Sequence, residues 1–212
     1  MGRPVLALDV DTMPGLAYSL GMVNPESRLP TGLASRVEGK GWQVEIGLRP
    51  SRLVDRFAAR GPDDLRLLEL GKLPDRVEPS VTVAFRYVME RFRRPGWDSV
   101  ADLAAGTRQA MFGWARFADR VLVVVDPSSK SQISGRRLAS VATHVVANRV
   151  RDAAEIEAVR AATRLPLIGV VPYDEALAEA DRLGVAPIDF APGSPGVLAL
   201  LKLAKRLVED CM

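Results

Sequence analysis

The stretch Val5-Leu6-Ala7-Leu8-Asp9-Val10-Asp11 begins with a continuous apolar run that leads directly into two carboxylates. A short apolar run bounded by polar residues is typical of a buried β-strand. Beyond it, Pro14 and Gly21 enclose further apolar residues as the start and stop signals of a helix. The stretch therefore predicts a buried strand with an acidic end, followed at once by a helix.

The same alternation of short apolar runs and helical segments continues along the chain. It predicts an α/β fold with a mostly parallel sheet and helices on both faces. Further strands are predicted at 65–70, 99–103, 121–125, 144–147 and 167–171, and further helices at 51–60, 81–93, 108–117, 132–140, 153–162, 175–183 and 196–208. Residues 24–96 are less regular, and no linker divides the chain. We therefore expect one domain over residues 1–212.

Composition narrows the class of protein. A hydrophobic share of 48% and a charged share of 26% are those of a globular protein. The net charge of +3 is spread as arginine through helical segments, which favours a solvated surface over nucleic-acid binding. The single cysteine, Cys211, excludes a disulfide framework within the chain and favours a reducing cytoplasm. The longest apolar run, 121–125, is too short to span a membrane.

Polar residues follow the predicted strands where each strand ends. The carboxyl ends of parallel strands meet at one edge of the sheet, where ligands bind. Each of these residues also has a structural explanation, because Asp, Asn and Ser cap helices. The ordered set is Asp9 and Asp11, Asp102, Asp126 to Ser128, Asn148, and Pro172 to Asp174.

This ordered set resembles the MinD/ParA branch of P-loop ATPases, and most closely the accessory ATPases that mature carbon monoxide dehydrogenase. The residues that carry the resemblance are Val5 to Asp11 with Gly15 to Gly21, Val100 to Gly106, Leu122 to Ser128, Asn148 to Val150, and Ile168 to Asp174. The resemblance covers the first two dozen residues and nearly everything from residue 97 onward. It implies ATP and magnesium as ligands, and a homodimer with a metalloenzyme or a positioning system as partner.

The resemblance also implies roles for individual residues. Asp11 would orient or activate the attacking water, and Asp9 would be its acidic partner near the phosphates. Asp102 would hold magnesium through water, and the backbone of Gly106 would sense the γ-phosphate. Asn148, with Arg149 beside it, would read the adenine edge, and the loop Pro172, Tyr173 and Asp174 would pack on the base. Carboxylates at strand ends suit phosphoryl transfer, which depends on positioned charge and a held water.

Two features depart from this family. The family pattern places a strand, a glycine-rich loop with lysine and a helix before the segment that matches Val5 to Asp11. No G-x-x-x-x-G-K-[S/T] occurs here, because Gly39-Lys40 and Gly71-Lys72 both lack the first glycine and the hydroxyl. The maturation ATPases also carry a Cys-x-Cys pair, whereas the matching residues 73–82 contain no cysteine. We therefore expect no nickel, zinc or iron–sulfur site.

Two functions remain open at this stage. One is an ATPase whose first strand, phosphate loop and first helix are missing from the N-terminus. The other is a non-catalytic pseudo-ATPase that binds partners. Retention of Asp9, Asp11, Asp102 and Asn148 favours the first. Neighbouring carboxylates repel each other and cost stability, so a chain that no longer hydrolyses nucleotide would have no physical need for them. The missing strand would leave a gap between the strands at 99–103 and 121–125, roughly 9 to 10 Å wide at the usual inter-strand spacing.

Overall fold

The computed structural model describes residues 2–71 and 78–209. Contacts divide the chain into two compact units, Met1–Ala105 and Gly106–Met212. The first unit contains strands β1 (Val5–Asp9), β2 (Ala34–Val37), β3 (Gly41–Val44), β4 (Ala59–Arg60), β5 (Arg66–Glu69) and β6 (Asp98–Asp102), with helices α1 (Leu16–Ser19), α2 (Pro50–Phe57) and α3 (Pro79–Arg91).

The sheet of the first unit has the strand order β4-β5-β1-β6. Strand β1 is parallel to both neighbours, β5 and β6, whereas the short β4 runs antiparallel to β5. Helix α1 covers one face, where Ala17 packs with Ala7 and Leu67. Strands β2 and β3 form a separate antiparallel hairpin that packs against α3. Both neighbours of β1 therefore hold it in a fixed parallel register.

The second unit begins with a π-helical turn, Ala110–Trp114. It continues with β7 (Leu122–Val125), α4 (Ser129–Leu138), β8 (His144–Val150), α5 (Ala153–Thr163), β9 (Leu167–Pro172), α6 (Glu175–Leu183), α7 (Pro187–Phe190) and α8 (Pro195–Glu209). Its strands form a parallel sheet in the order β7-β8-β9.

Helices cover both faces of this second sheet. On one face, Val145 and Ala147 of β8 pack with Val159 of α5. On the other face, Val146 and Ile168 contact Leu203 of α8. The parallel sheets and the helices that cover them confirm the predicted α/β fold class. The single domain over residues 1–212 stays a prediction.

Most predicted elements are present, with three corrections. The hairpin β2–β3 and helix α7 were not predicted. The helix predicted at 51–60 ends at Phe57, because Ala58 is extended (ψ 132°) and Ala59–Arg60 pairs with β5 as β4. The helix predicted at 108–117 is irregular, because Gly113 lies at φ 84° and interrupts it. Cys211 and residues 73–77 of the cysteine-free segment 73–82 lie outside the described residues.

Each sheet has one edge strand with little cover. In the described part of the chain, β6 pairs only with β1, and β7 pairs only with β8. Val100 of β6 is 61% exposed and Val124 of β7 is 58% exposed. The strands of a parallel sheet are normally buried on both faces. The chain therefore leaves apolar strand surface uncovered at both edges.

Gly196 in the first turn of α8 is a point where packing permits no side chain. A Cβ atom there would lie 2.5 Å from Cδ1 of Leu177 and 2.8 Å from Oδ2 of Asp174. We expect Gly196→Ala to destabilise the chain by about 1–3 kcal/mol through overpacking, measured by urea unfolding. Gly193→Ala is the matched control, because a Cβ there meets nothing within 4 Å. Equal stability of the two variants would contradict this packing.

Candidate functional site

The carboxyl ends of β5, β1 and β6 bring three acidic residues to one level of the sheet. Asp9 pairs in register with Glu69 on one side and with Asp102 on the other. Paired residues of parallel strands lie on the same face, because side chains alternate along each strand. Asp11 follows Asp9 by two residues. The sequence-predicted Asp9, Asp11 and Asp102 therefore lie at one edge of the sheet, as expected.

Asp9 is buried, with 1% of its surface exposed. Its Oδ1 accepts a hydrogen bond from the N–H of Asp11 at 2.9 Å. Its Oδ2 accepts from the N–H groups of Gly15 at 3.0 Å and Leu16 at 2.9 Å. Leu16 is the first residue of α1, and the first N–H groups of a helix have no partner within the helix. Both oxygens of Asp9 are therefore occupied by the loop that follows β1.

Asp11 and Asp102 are more accessible than Asp9. Oδ1 of Asp11 accepts from the N–H of Met13 at 3.0 Å. The residue Asp102 as a whole is exposed to solvent. Partial burial of its carboxyl group, together with the negative charges of Asp9 and Asp11, raises the pKa of Asp102 above its ordinary value. These carboxylates can meet a ligand from solvent.

Glu69 is a fourth acid at this edge, and sequence reasoning did not single it out. It is 4% exposed and accepts a hydrogen bond from the hydroxyl of Ser27, which is fully buried. Burial raises the pKa of Glu69, and the charge of Asp9 adds to this effect, against the opposing Ser27 hydrogen bond and the positive charge of Arg28. The available signal was a glutamate inside the apolar run Leu67 to Leu70.

The other predicted ligand residues lie at the carboxyl ends of β8 and β9 in the second unit. Strand β8 extends to Val150, beyond the predicted end at Ala147, so Asn148 and Arg149 belong to the strand. Asn148 is half-buried, and Arg149 is exposed with φ 56° at an irregularity in the strand pairing. Tyr173 is 46% exposed, and the guanidinium carbon of Arg151 lies 4.6 Å from its ring centroid. Pro172 ends β9 opposite Val150. The Arg151–Tyr173 stack is a flat, cationic surface that sequence reasoning did not predict.

Asp174 has a structural role in this loop. Its Oδ1 accepts from the N–H of Ala176 in α6 at 2.9 Å, and its Oδ2 accepts from the N–H of Gly196 in α8 at 2.7 Å. The Gly196 N–H, the Ser194 side chain and the Ala176 N–H lower the pKa of Asp174. The carboxylate therefore joins the N-termini of two helices, and its predicted contact with a base stays a prediction.

Gly106 lies four residues after β6, with φ 99° and no atom within 4 Å of an added Cβ. This left-handed backbone conformation favours glycine. Over the described residues, no group of three His, Cys, Asp or Glu side chains could hold a metal ion directly. Magnesium held by Asp102 through water, as the sequence predicts, stays a prediction.

Comparison with solved structures identifies the fold. The septum site-determining protein MinD from Pyrococcus horikoshii, complexed with Mg-ADP, matches with a TM-score of 0.65 and 19% identity over 97% of this chain and 84% of that one. MinD in the MinC:MinD cell division complex from Aquifex aeolicus matches with a TM-score of 0.65 and 19% identity over 98% and 84%. A ParA family ATPase from Chlorobium tepidum matches with a TM-score of 0.68 and 15% identity over 98% and 86%.

These matches support the fold of MinD and ParA-family P-loop ATPases, and at such identities they support the fold alone. No protein-family model and no curated protein matches the sequence. In the part of the chain that the structure describes, no helix is long and apolar enough to cross a membrane.

The buried Glu69 should make stability depend on pH. Because its pKa is raised in the folded state, the folded chain binds this proton more tightly than the unfolded chain. The resulting stabilisation is present below the ordinary glutamate pKa of about 4.3 and is lost as pH rises through the higher folded value. Glu69→Gln removes the titration and can still accept from Ser27.

We therefore expect the Tm of the Glu69→Gln chain, relative to the unsubstituted chain, to increase from pH 4 to pH 7 in thermal unfolding followed by circular dichroism. Glu38→Gln, on the exposed turn between β2 and β3, is the control for loss of a surface charge. A Tm difference for Glu69→Gln that stays constant over this range would contradict the prediction.

Proposed function

We propose that the chain provides the magnesium and water-positioning carboxylates of a MinD/ParA-type ATPase. The observation that supports this proposal is the in-register pairing of Asp9 with Asp102. It brings Asp11 and Asp102 from neighbouring parallel strands to the edge where ligands bind in this class of sheet. The fold that the chain shares with MinD complexed with Mg-ADP supports the same proposal.

The residues at this edge suit a hydrated magnesium ion. Magnesium prefers oxygen ligands and keeps several of its waters, so accessible carboxylates can hold it through water. Asp102 is the exposed carboxylate at the end of β6 and would fill this role. Asp11 would orient the attacking water, because only one of its oxygens is engaged by Met13 among the described residues. Bound magnesium would supply positive charge that offsets the negative charge of the phosphates.

A purine base would be held by the carboxyl ends of β8 and β9 and by the loops that follow them. Asn148 can donate and accept hydrogen bonds at a base edge, and Arg149 lies beside it. Tyr173 and Arg151 offer a flat surface for stacking. Asp174 would not contact the base directly. Its carboxylate would position this loop through hydrogen bonds to α6 and α8. Gly106 would offer its backbone N–H to the terminal phosphate.

The phosphate-binding loop is the part that these 212 residues do not contain. Without it there is neither a nest of N–H groups for the phosphates nor a lysine for their oxygens. We therefore expect the 212-residue chain to show no measurable ATP hydrolysis in a phosphate-release assay. Turnover that disappears in Asp11→Ala would show that the chain binds the phosphates by another route.

Supplying the loop should restore the site if the proposal is correct. We expect a fusion that places a strand, a G-x-x-x-x-G-K-[S/T] loop and a helix ahead of Gly2 to bind Mg-ATP and hydrolyse it. Asp11→Asn should lower turnover by about 100-fold or more, and Asp102→Asn should raise the magnesium concentration required.

The control for the fusion is Asp181→Asn, on the exposed surface of α6, which should leave turnover unchanged. The readouts are steady-state hydrolysis and nucleotide binding by calorimetry. Binding that is equally strong with and without Asp102 would contradict the assigned role of this residue.

We also propose a homodimer, a cytoplasmic location and a protein partner, which is either a metalloenzyme that the chain helps to mature or a positioning system. MinD has been solved as a MinC:MinD complex, which supports a protein partner for a chain of this fold. The residue pattern at the strand ends supports the comparison with maturation ATPases. Nickel, zinc and iron–sulfur sites are not part of this proposal, because the matching segment lacks the cysteine pair.

A non-catalytic scaffold is the second candidate, and uncovered strand surface favours it. Val100 and Val124 are exposed on strands that pair on one edge only in the described chain. A protein segment that pairs with either strand would bury apolar area and satisfy backbone groups of its edge. The fusion experiment separates the two candidates, because a scaffold would neither bind nor hydrolyse ATP after the loop is supplied.

A further inference from the structure

Asp9 differs from the other acids of the edge because backbone N–H groups occupy both of its carboxylate oxygens. It is 1% exposed, and its oxygens accept from the N–H groups of Asp11, Gly15 and Leu16. A general base or a ligand of a hydrated ion must reach the reacting water. The Asp9 carboxylate is instead directed into the loop that follows it.

We infer that Asp9 is a positioning residue, whose carboxylate closes residues 9–16 into a ring and thereby sets the place of Asp11. This inference rests on the proposed function, in which Asp11 orients the attacking water. The hydrogen bonds of Asp9 connect the end of β1 to the start of α1. The ring thus fixes both ends of the segment that carries Asp11.

Neighbouring strands hold the same ring from outside. The N–H of Gly71, just beyond β5, donates to the backbone oxygen of Asp11 at 3.2 Å, and the N–H of Val10 donates to that of Asp102 at 2.9 Å. The backbone of Asp11 therefore has its oxygen held by β5 and its N–H held by Asp9. Among the described residues, the Asp11 side chain is held at one oxygen only, by the N–H of Met13, and its other oxygen can face a ligand.

The ring requires a carboxylate at position 9. N–H donors approach both oxygens, and an ionised carboxylate accepts at both. An asparagine would turn its NH₂ group toward at least one of these donors, whichever way it is oriented. Asp9→Asn has nearly the same size as the original side chain, so it tests the hydrogen bonds with little change in packing.

The experiment is amide hydrogen exchange of the 212-residue chain, read by NMR at single residues. In the unsubstituted chain, we expect Asp11, Gly15 and Leu16 to be protected as strongly as the amides of β1. In Asp9→Asn, we expect exchange at Gly15 and Leu16 to be about tenfold faster or more. Asp11→Asn should leave these amides unchanged.

Asp126→Asn is the matched control, because Asp126 also follows a strand and accepts from a loop N–H, that of Ser128. It should not alter exchange at Gly15 or Leu16. If the Asp9 variant does not fold, hydrogen exchange in the unsubstituted chain still tests the inference. Exchange at its Gly15 and Leu16 as fast as at the exposed Gly32 would overturn the ring.

A second arm connects the ring to function in the fusion that carries the phosphate loop. There Asp9→Asn should lower both nucleotide affinity and turnover, whereas Asp11→Asn should lower turnover alone. Loss of turnover in Asp9→Asn with unchanged exchange would mean that Asp9 acts chemically and would overturn the inference. Absence of nucleotide binding in every fusion would contradict the proposed function and leave the exchange result intact.

Discussion

The parallel pairing of β1 on both of its edges is the constraint on which the acidic edge depends. The register aligns Asp9 with Glu69 and with Asp102. A shift of one residue would turn each neighbouring side chain to the opposite face. Because Leu6, Ala7, Leu8 and Asp9 of β1 are all buried, such a shift would move the carboxylate of Asp9 to the apolar face that Leu6 and Leu8 occupy. The packing of apolar residues thereby sets the position of the carboxylates.

Burial then gives chemically similar carboxylates different tasks. Among the described residues, Asp9, which is 1% exposed, accepts hydrogen bonds only from backbone N–H groups. Asp102 is exposed, and partial burial of its carboxyl group together with the charges of Asp9 and Asp11 raises its pKa. Glu69 is buried but bonded to a hydroxyl. A proton that enters this edge therefore binds more readily to Asp102 and Glu69 than to an isolated carboxyl group.

The sequence predicted the parallel strands of both sheets and most of their helices, because buried parallel strands leave continuous apolar runs such as Leu122–Val125. It did not predict the hairpin of Ala34–Val37 and Gly41–Val44, whose residues are mostly exposed and show no apolar alternation. The site was predictable where a carboxylate ends a strand, as at Asp9 and Asp102. The Ser27–Glu69 contact was not, because it joins residues 42 positions apart.

The uncovered strands constrain any function of this chain. Val100 is paired with Ala7, and Val124 with Val146, yet both valines are more than half exposed while their partners are at most 5% exposed. Exposed apolar surface costs about 25 cal/mol per Å² relative to burial. In the proposed ATPase a strand that carries the phosphate loop would cover β6, and in the proposed scaffold a partner protein would cover it. Under both proposals these exposed strands become covered. A covering segment that carries a phosphate loop would give an ATPase, and a covering partner protein would give a scaffold.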